Sequence, residues 1–283
     1  MNLRARVSFV GAGPGDPELV TLKALRRLRE ADVVIHDRLV PAALLGDAPP
    51  GAEVIDAGKA PGRHCLAQSE INWLLVDRAR RRGRVVRLKG GDPAVFGRLA
   101  EEVDAVRSAG IPFEIVPGVT AATAAAARAG ISLTERGAAS MVVFATATDH
   151  NGSVVSGLDW GLLARAEGTL AFYMGVRALE TVTASLTVLG RDAREPAILV
   201  ERVGGPGERI IAGRLGEIAA AARAAGAESP AVLIVGPTVR VGGPDMAGHN
   251  VGGPEMAPHT PQTLGSGPAK PGRSSMAGVV HVS

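Results

Sequence analysis

The stretch LKGGDPAVFGR, residues 88–98, joins a strand-like run at 84–88 to a helix-like run at 99–109. Glycine has no Cβ, so the glycines of such a turn allow the backbone to approach a ligand closely. The carboxylate of Asp92 can accept hydrogen bonds from a hydroxyl or an ammonium group. In an open α/β sheet, small ligands bind at the turns that follow the carboxyl ends of the strands. The stretch therefore predicts an α/β fold with a small-molecule site, and it favours an enzyme.

Strand-like and helix-like runs alternate along most of the chain. The strand-like runs are 7–10, 33–36, 54–57, 84–88, 113–116, 140–147, 169–174, 197–203 and 231–235. The helix-like runs between them are 17–31, 70–82, 99–109, 120–129, 158–166, 178–189 and 215–225. Repeated βαβ units predict a parallel, doubly wound sheet. We expect two α/β domains with mostly parallel sheets, residues 1–117 and 118–240, and an active site in the cleft between them.

The last part of the chain, residues 241–283, has a different composition. It is rich in Gly, Pro, Ser, His and Met, and it contains an imperfect repeat, VGGPDMAGHN at 241–250 and VGGPEMAPHT at 251–260. Such a composition cannot bury an apolar core, so we expect residues 241–283 to form a disordered tail.

The composition excludes several classes of protein. The 283 residues carry a formal net charge of +3 and only 3% aromatic residues, whereas nucleic-acid-binding domains concentrate basic residues and often add stacking aromatics. The single cysteine, Cys65, excludes an intrachain disulfide and fits a reducing compartment. No segment approaches the ~20 consecutive apolar residues of a membrane span. We expect a cytoplasmic protein with a small-molecule substrate and with neither nucleic acid nor a membrane as partner.

A second glycine-rich turn, GAGPGD at 11–16, invites comparison with the dinucleotide fingerprint G-x-G-x-x-G. Gly11 and Gly13 match, but Asp16 stands at the third glycine position, where its carboxylate would repel a diphosphate. The turn therefore disfavours a nicotinamide cofactor and suits a ligand with a positive charge or hydroxyl groups. The structural alternative is a tight turn in which Asp16 caps the following helix, with Pro17 at its first position.

Charged residues follow several of the predicted strands. Asp37 follows the run 33–36, and Lys59 follows the run 54–57, so an acid and a lysine at one sheet edge could serve proton transfer. A surface salt bridge is the alternative. Arg98 could bind a carboxylate in the cleft or pair with Glu102, four residues further on. The cysteine and histidine spacing of a zinc site is missing, so we expect no metal.

Several sequence blocks, taken in order, resemble the tetrapyrrole methylase family. They are VGAGPGDPELVTLKA (10–24), DRLV (37–40), GKAPGRHCLAQSEIN (58–72), VVRLKGGDPAVFGR (85–98), GIPFEIVPGVTAA (110–122), GISLTER (130–136) and FYMG (172–175). The resemblance implies two α/β domains, S-adenosylmethionine as methyl donor in the cleft between them, and a homodimer. Within the family the chain is most similar to the C-methyltransferases of uroporphyrinogen III. Those enzymes transfer two methyl groups and give precorrin-2 on the route to sirohaem and cobalamin.

The resemblance also implies roles for single residues. Asp37 and Lys59 match the positions of the proton acceptor and the proton donor. Arg98, Glu101 and Arg136 match positions that line the substrate pocket. The cofactor contacts would be Pro14, Gly90, Gly91, Asp92, Val95, Thr120, Ala121, Met174 and Val203.

The chemistry of the residues agrees with such a ligand. S-adenosylmethionine carries a sulfonium, an ammonium group and ribose hydroxyls, which suit acidic glycine-rich turns better than a diphosphate does. Methyl transfer depends mainly on alignment of the reacting atoms. A base must then remove a proton, for which Asp37 is the candidate, while Lys59 donates a proton or neutralises developing charge. Arginines would bind the carboxylates of the tetrapyrrole.

Three other functions stay open on the sequence alone. The chain could be a methylase of a later corrin precursor, because several pocket positions depart from the family pattern. It could also be a paralogue that binds cofactor or tetrapyrrole without turnover. A nicotinamide oxidoreductase is the third, and Asp16 and the Gly-Gly-Asp turn at 90–92 disfavour it.

Overall fold

The computed structural model describes residues 5–58, 66–148 and 157–239, and its first half forms a parallel sheet. The strands are β1 Arg6–Gly11, β2 Val33–His36, β3 Glu53–Asp56, β4 Arg84–Lys89 and β5 Phe113–Val116. The helices are α1 Leu22–Arg29, α2 Ala42–Leu45, α3 Gln68–Arg81, α4 Leu99–Ser108 and α5 Ala121–Arg128. The strand order is β3-β2-β4-β1-β5, and every pairing is parallel.

Strand β1, one of the three inner strands of this sheet, is buried on both faces. Val7 and Phe9 of β1 belong to the core cluster on one face, and Val10 belongs to the cluster on the other. Continuous apolar strands of this kind are typical of parallel sheets whose faces are both covered. Because all five strands run in one direction, their carboxyl ends lie along one edge of the sheet, where the glycine-rich turns begin.

The predicted helix at 17–31 is two helices. Residues Pro17–Leu19 form a short 3-10 helix, and the Asp16 side chain accepts a hydrogen bond from the Glu18 N–H at 2.9 Å. Val20 is extended, and Thr21 then caps α1 by accepting from the Ala24 N–H at 3.1 Å. The predicted cap at Asp16 is therefore confirmed, and the single continuous helix was wrong because Thr21 starts a second one.

The second sheet follows α5. Its strands are β6 Val142–Thr146, β7 Thr169–Tyr173, β8 Pro196–Glu201, β9 Arg209–Arg214 and β10 Ala231–Val235. Its helices are α6 Trp160–Arg165, α7 Leu179–Val188 and α8 Ile218–Ala224. The strand order is β6-β7-β10-β8-β9, with β6 parallel to β7 and the other three pairings antiparallel.

The two-sheet α/β architecture is confirmed, but the second sheet departs from the expectation of mostly parallel strands. Strand β9 was missed in the sequence, because its residues are only partly buried and it lies at the edge of the sheet. It pairs with β8, and the short connection 202–208 joins the two strands. A connection of that length holds no crossover helix, so the two strands must run antiparallel.

Three further predictions concern a membrane span, the domain boundary and residues 241–283. None of the helices in the described part of the chain combines the length and apolar character of a membrane span. Strand β5 ends at Val116 and α5 begins at Ala121, on either side of the predicted domain boundary at residue 117. The division into domains stays a prediction, and residues 241–283 lie outside the described residues.

Candidate functional site

The three turns that follow β1, β4 and β5 approach one another closely at glycine residues. A Cβ atom on Gly118 would lie 2.3 Å from the Gly91 carbonyl oxygen, and one on Gly11 would lie 2.6 Å from the Gly118 Cα. Gly13 and Gly91 also exchange two backbone hydrogen bonds, of 3.2 and 2.7 Å. Only glycine permits backbones to approach this closely. The turns after β1, β4 and β5 therefore form one continuous surface of exposed backbone.

That surface is one wall of a cavity of about 730 Å³, within the range of about 300–1,000 Å³ that is common for small-molecule sites. All of the predicted cofactor residues line it, namely Pro14, Gly90, Gly91, Asp92, Val95, Thr120, Ala121, Met174 and Val203. The opposite wall comes from the second sheet and includes Tyr173, Thr148 and residues 229–232. The structure thus brings the predicted set together; that these residues contact a cofactor stays a prediction.

Asp92 ties two of the turns together. Its Oδ1 accepts a hydrogen bond from the Ala94 N–H at 2.7 Å, and its Oδ2 accepts one from the Gly118 N–H at 3.0 Å. Each carboxylate oxygen has two lone pairs. The carboxylate can therefore hold both turns in place and still accept a hydrogen bond from a ligand in the cavity.

Tyr173 is a site residue that the sequence analysis missed, although it lies in the FYMG block. Its hydroxyl forms a hydrogen bond with the Thr120 hydroxyl at 2.7 Å and accepts one from the Ala122 N–H at 3.1 Å, at the start of α5. Burial raises the pKa of the Tyr173 hydroxyl, so it stays a neutral phenol at physiological pH. Its ring packs against Phe96, with centroids 5.0 Å apart. The contact joins the 88–98 turn to the second sheet across the cavity.

Several cavity residues have an unusual backbone. Phe96, Met174 and Arg202 line the cavity and have φ angles of 51°, 55° and 48°. Non-glycine residues rarely adopt this left-handed conformation, and they do so mostly where neighbouring structure holds them. The Met174 carbonyl accepts a hydrogen bond from the Thr148 hydroxyl at 3.0 Å, which fixes that turn. Strained backbone clusters at functional sites, so these φ angles support this cavity as the candidate site.

The predicted proton acceptor lies beside the cavity. Asp37 directly follows β2, and the next two residues, Arg38 and Leu39, line the cavity. The Asp37 side chain is 35% exposed, and its Oδ1 accepts a hydrogen bond from Arg87 Nη2 at 2.5 Å. The predicted proton donor, Lys59, lies outside the described residues.

The predicted substrate residues do not line the cavity. Arg98 has a left-handed backbone, with φ 52°, and forms two hydrogen bonds of 2.8 Å to Glu101. Arg136 is exposed in the segment before β6. The arginines that do line the cavity are Arg38, Arg177 and Arg202. The DRLV block contains the first of these, and no sequence signal marked the other two.

A buried cluster of charges next to Asp37 was also missed. Arg87 and Lys89 of β4 and Glu102 of α4 are each nearly inaccessible to solvent. Glu102 Oε1 accepts from Arg87 Nε at 3.1 Å and from Lys89 Nζ at 2.9 Å. The signal in the sequence was the strand RVVRLK, in which Arg87 and Lys89 flank Leu88 in the part of the strand that follows two valines. A charge buried in a strand needs partners.

The cavity fits S-adenosylmethionine on chemical grounds. Its glycine turns expose backbone groups for a ribose and an amino-acid chain, and Asp92 offers a carboxylate for an ammonium group or a hydroxyl. Phe96, Tyr173 and Met174 supply apolar and aromatic surface for an adenine ring. Val203, which the family resemblance assigns to the cofactor site, lines the cavity, is only 4% exposed and belongs to a core cluster that includes residues of the second sheet.

Comparisons with known proteins agree with the sequence blocks. The family profile described as tetrapyrrole (corrin/porphyrin) methylases matches residues 6–219. A protein described as siroheme synthase 3 from Aeromonas hydrophila is 46% identical over 233 residues, which are 82% of this chain and 49% of that protein. The chain thus spans about half the length of several of the curated relatives that it matches.

Two further matches span most of both partners. An S-adenosyl-L-methionine-dependent uroporphyrinogen III methyltransferase from Methanosarcina barkeri is 42% identical over 236 residues, 83% of this chain and 92% of that protein. A solved structure of uroporphyrin-III C-methyl transferase from Thermus thermophilus, complexed with S-adenyl homocysteine, is 43% identical, with a TM-score of 0.70 over 83% of this chain and 93% of that one. The chain therefore belongs to the tetrapyrrole (corrin/porphyrin) methylase family.

Proposed function

We propose that the chain is an S-adenosylmethionine-dependent C-methyltransferase that methylates uroporphyrinogen III twice and gives precorrin-2. The observation that carries the proposal is the cavity at the strand-end turns, which gathers every cofactor residue implied by the family motifs. The relatives from Methanosarcina barkeri and Thermus thermophilus support it, since their descriptions name this type of reaction and they align with most of the chain.

The glycine turns and the second sheet would hold the methyl donor between them. When bound, S-adenosylmethionine supplies an electrophilic methyl group on a sulfonium. Gly90, Gly91, Asp92 and Thr120 would bind its polar parts from one wall, while Met174 would close the opposite side. The protein's task is to align the reacting atoms and to exclude water, which is the main requirement of a displacement at carbon.

Asp37 would act as the general base. Attack by a pyrrole carbon on the methyl group leaves that carbon quaternary and the ring positively charged. The ring becomes neutral when a proton leaves a neighbouring nitrogen or carbon, and Asp37 would accept that proton. The carboxylate is partly exposed beside the cavity, and Arg87 holds it in place. Lys59, which matches the proton donor of the family, would donate a proton or neutralise the charge that develops during the reaction.

Arginines would bind the carboxylates of the tetrapyrrole. Arg38 and Arg177 line the cavity and are exposed, and neither forms an ion pair with a carboxylate in the described ranges. We therefore add them to Arg98, Glu101 and Arg136 as candidate substrate contacts. The family resemblance and the single cysteine further support a homodimer that works in the cytoplasm without a metal.

The test is incubation of the protein with uroporphyrinogen III and methyl-labelled S-adenosylmethionine, followed by mass analysis of the product. We expect a product with two added methyl groups, and we expect Asp37→Asn to lower kcat by at least about 100-fold, the usual effect of losing a general base. Tight binding of both ligands without transfer would contradict the proposal and favour a non-catalytic binding protein. Transfer only to a later corrin precursor would contradict the choice of substrate.

A further inference from the structure

We propose that Arg87, Lys89 and Glu102 form a positioning network that orients the Asp37 carboxylate and keeps its Oδ2 available as the proton-accepting oxygen. The inference rests on the proposed function in one respect, the role of Asp37 as base. None of the three residues lines the cavity, so each would act through Asp37 and not by touching the substrate.

Arg87 is the residue that holds Asp37. Its side chain is 2% exposed, and its Nη2 donates to Asp37 Oδ1 at 2.5 Å. Its Nη1 lies 3.4 Å from the Ile35 carbonyl oxygen, and its Nε donates to Glu102. The guanidinium is planar, so contacts on several of its edges fix its orientation. The position of Asp37 Oδ1 follows from that orientation.

The second carboxylate oxygen of Asp37, Oδ2, has no comparable hydrogen bond within the described part of the chain. Lys89 Nζ lies 4.0 Å from Asp37 Oδ2, beyond hydrogen-bond distance, and none of the described residues donates a hydrogen bond to Oδ2. Lys89 instead donates to Glu102 Oε1 at 2.9 Å. One carboxylate oxygen is thus bound and the other is left to accept a proton.

Glu102 decides which carboxylate Lys89 binds. It is 1% exposed, and its Oε1 accepts from Arg87, from Lys89 and, at 3.3 Å, from Gln68 Nε2. With Glu102 ionised, two buried cations face two carboxylates, and the charges balance. Burial and the neighbouring Arg87 lower the pKa of the Lys89 ammonium, while Glu102 and Asp37 oppose this shift. Without the Glu102 charge, both cations would compete for Asp37, and Lys89 would engage Oδ2.

Stability alone does not account for such a cluster. Replacing a buried ion network with apolar residues is often neutral or stabilising, because taking the charges out of water costs as much as their attraction returns. Glu102 Oε2 has no hydrogen-bond partner among the described residues, which adds to that cost. A buried charge network that the fold does not require for stability, and that adjoins the candidate base, is more consistent with positioning than with folding.

The first test is Glu102→Gln in the full chain, assayed with uroporphyrinogen III. We expect kcat to fall by about 100-fold, the effect of displacing a reacting group by about 1 Å, with KM and the affinity for S-adenosylhomocysteine nearly unchanged. Asp104→Asn is the matched control, since Asp104 lies on the same helix in an exposed pair with Arg107. Equal kcat values for Glu102→Gln and the control would overturn the proposal.

A charge-balanced variant separates positioning from structural damage. The double variant Glu102→Gln with Lys89→Met removes one anion and one cation, and it leaves the Arg87–Asp37 pair intact. We expect it to recover at least about tenfold in kcat over Glu102→Gln alone, since Oδ2 again lacks a competing cation. A folded double variant that is no more active than Glu102→Gln would overturn the proposal. Circular dichroism and gel filtration establish folding.

A failure of the proposed function can be distinguished from a failure of the positioning network. If the wild-type chain transfers no methyl group, the proposed function falls, and the network is tested by urea unfolding of Asp37→Asn, Glu102→Gln and the combined variant. Residues that share a buried network are energetically coupled, so we expect the loss of stability in the combined variant to differ from the sum of the two single losses. Additive effects of the two substitutions would overturn the network as well.

Discussion

Asp92 has a structural role and a proposed ligand role at the same position. Its two oxygens accept the N–H groups of Ala94 and Gly118, and it also lines the cavity. Loss of the carboxylate would leave two backbone donors unpaired and would also remove the proposed ligand contact.

We predict that Asp92→Ala weakens S-adenosylhomocysteine binding by at least about tenfold and lowers the free energy of unfolding by about 1–3 kcal/mol. The measurements are isothermal titration and urea unfolding. Asp159→Ala is the matched control, since Asp159 caps α6 by accepting from the Leu162 N–H at 2.9 Å and does not line the cavity. The control should lose stability and keep its affinity. If Asp92→Ala also keeps its affinity, the 88–98 turn is not part of the cofactor site.

The ion-pair partner of Arg98 could not be predicted from the sequence. The sequence places it at the start of a helix after a glycine turn, with carboxylates three and four residues further on. The structure pairs it with Glu101, while Glu102 turns inward to Arg87 and Lys89. Spacing allows both pairings, and the choice depends on which face of α4 is buried against β4.

At the scale of elements, α1 and β5 are joined by an ion cluster on Glu114. Its carboxylate accepts from Arg27 Nε at 2.5 Å and from the Ser8 hydroxyl at 3.0 Å, and it pairs with Lys23 at 2.9 Å. The hydrogen bond from Arg27 is the main cause that lowers the pKa of Glu114 from 4.5 to about 2, against the opposing effect of burial. The contact links a helix to the edge strand of the first sheet.

We predict that Glu114→Gln lowers stability at pH 7 by about 2 kcal/mol, as expected for hydrogen bonds to a charged group. The folded-state pKa lies below the unfolded value, so the contribution of Glu114 is complete above pH 4.5 and is lost as pH falls toward about 2. The variant should therefore show a flatter fall in stability over that window, measured by urea unfolding. Asp104→Asn should follow the wild-type curve. An unchanged slope for Glu114→Gln would contradict the assigned cause.

Buried strands and edge strands differ in how well their sequence pattern predicts them. The first sheet follows its sequence pattern closely, because parallel strands such as β1 are buried on both faces and read as apolar runs. Strand β9 does not, since RIIAGR is partly exposed along its length and ends the sheet. An edge strand buries too little apolar surface to leave a clear pattern, and its pairing depends on the length of the β8–β9 connection.

At the scale of the whole molecule, the cavity needs both halves of the chain. The turns after β1, β4 and β5 form one wall, and β7 with residues 202–206 and 229–232 forms the other. The contact between Phe96 and Tyr173 spans the two. A ligand in the cavity therefore stabilises the two sheets together.

We predict that deletion of residues 241–283 leaves methyl transfer, S-adenosylhomocysteine affinity and the thermal midpoint unchanged. The cavity and both core clusters of each sheet lie within residues 5–239, and the family profile ends at residue 219. The full-length chain is the control, assayed in parallel. A clear loss of activity or affinity would show that the tail takes part in the site.

The sequence by itself determined the α/β class, because glycine turns and apolar strands are local patterns with local causes. Its motifs also indicated the family and, through that resemblance, the nine predicted cofactor residues that line the cavity. Only the tertiary structure decided the mostly antiparallel pairing of the second sheet and the pairing of Arg98 with Glu101. It also revealed the buried network behind Asp37, in which Arg87 and Lys89 lie on β4 and Glu102 on α4. Such features depend on which faces pack together, and packing is set by contacts between residues far apart in the chain. The LKGGDPAVFGR turn thus predicted the site, while the charges beneath it became visible only in the folded chain.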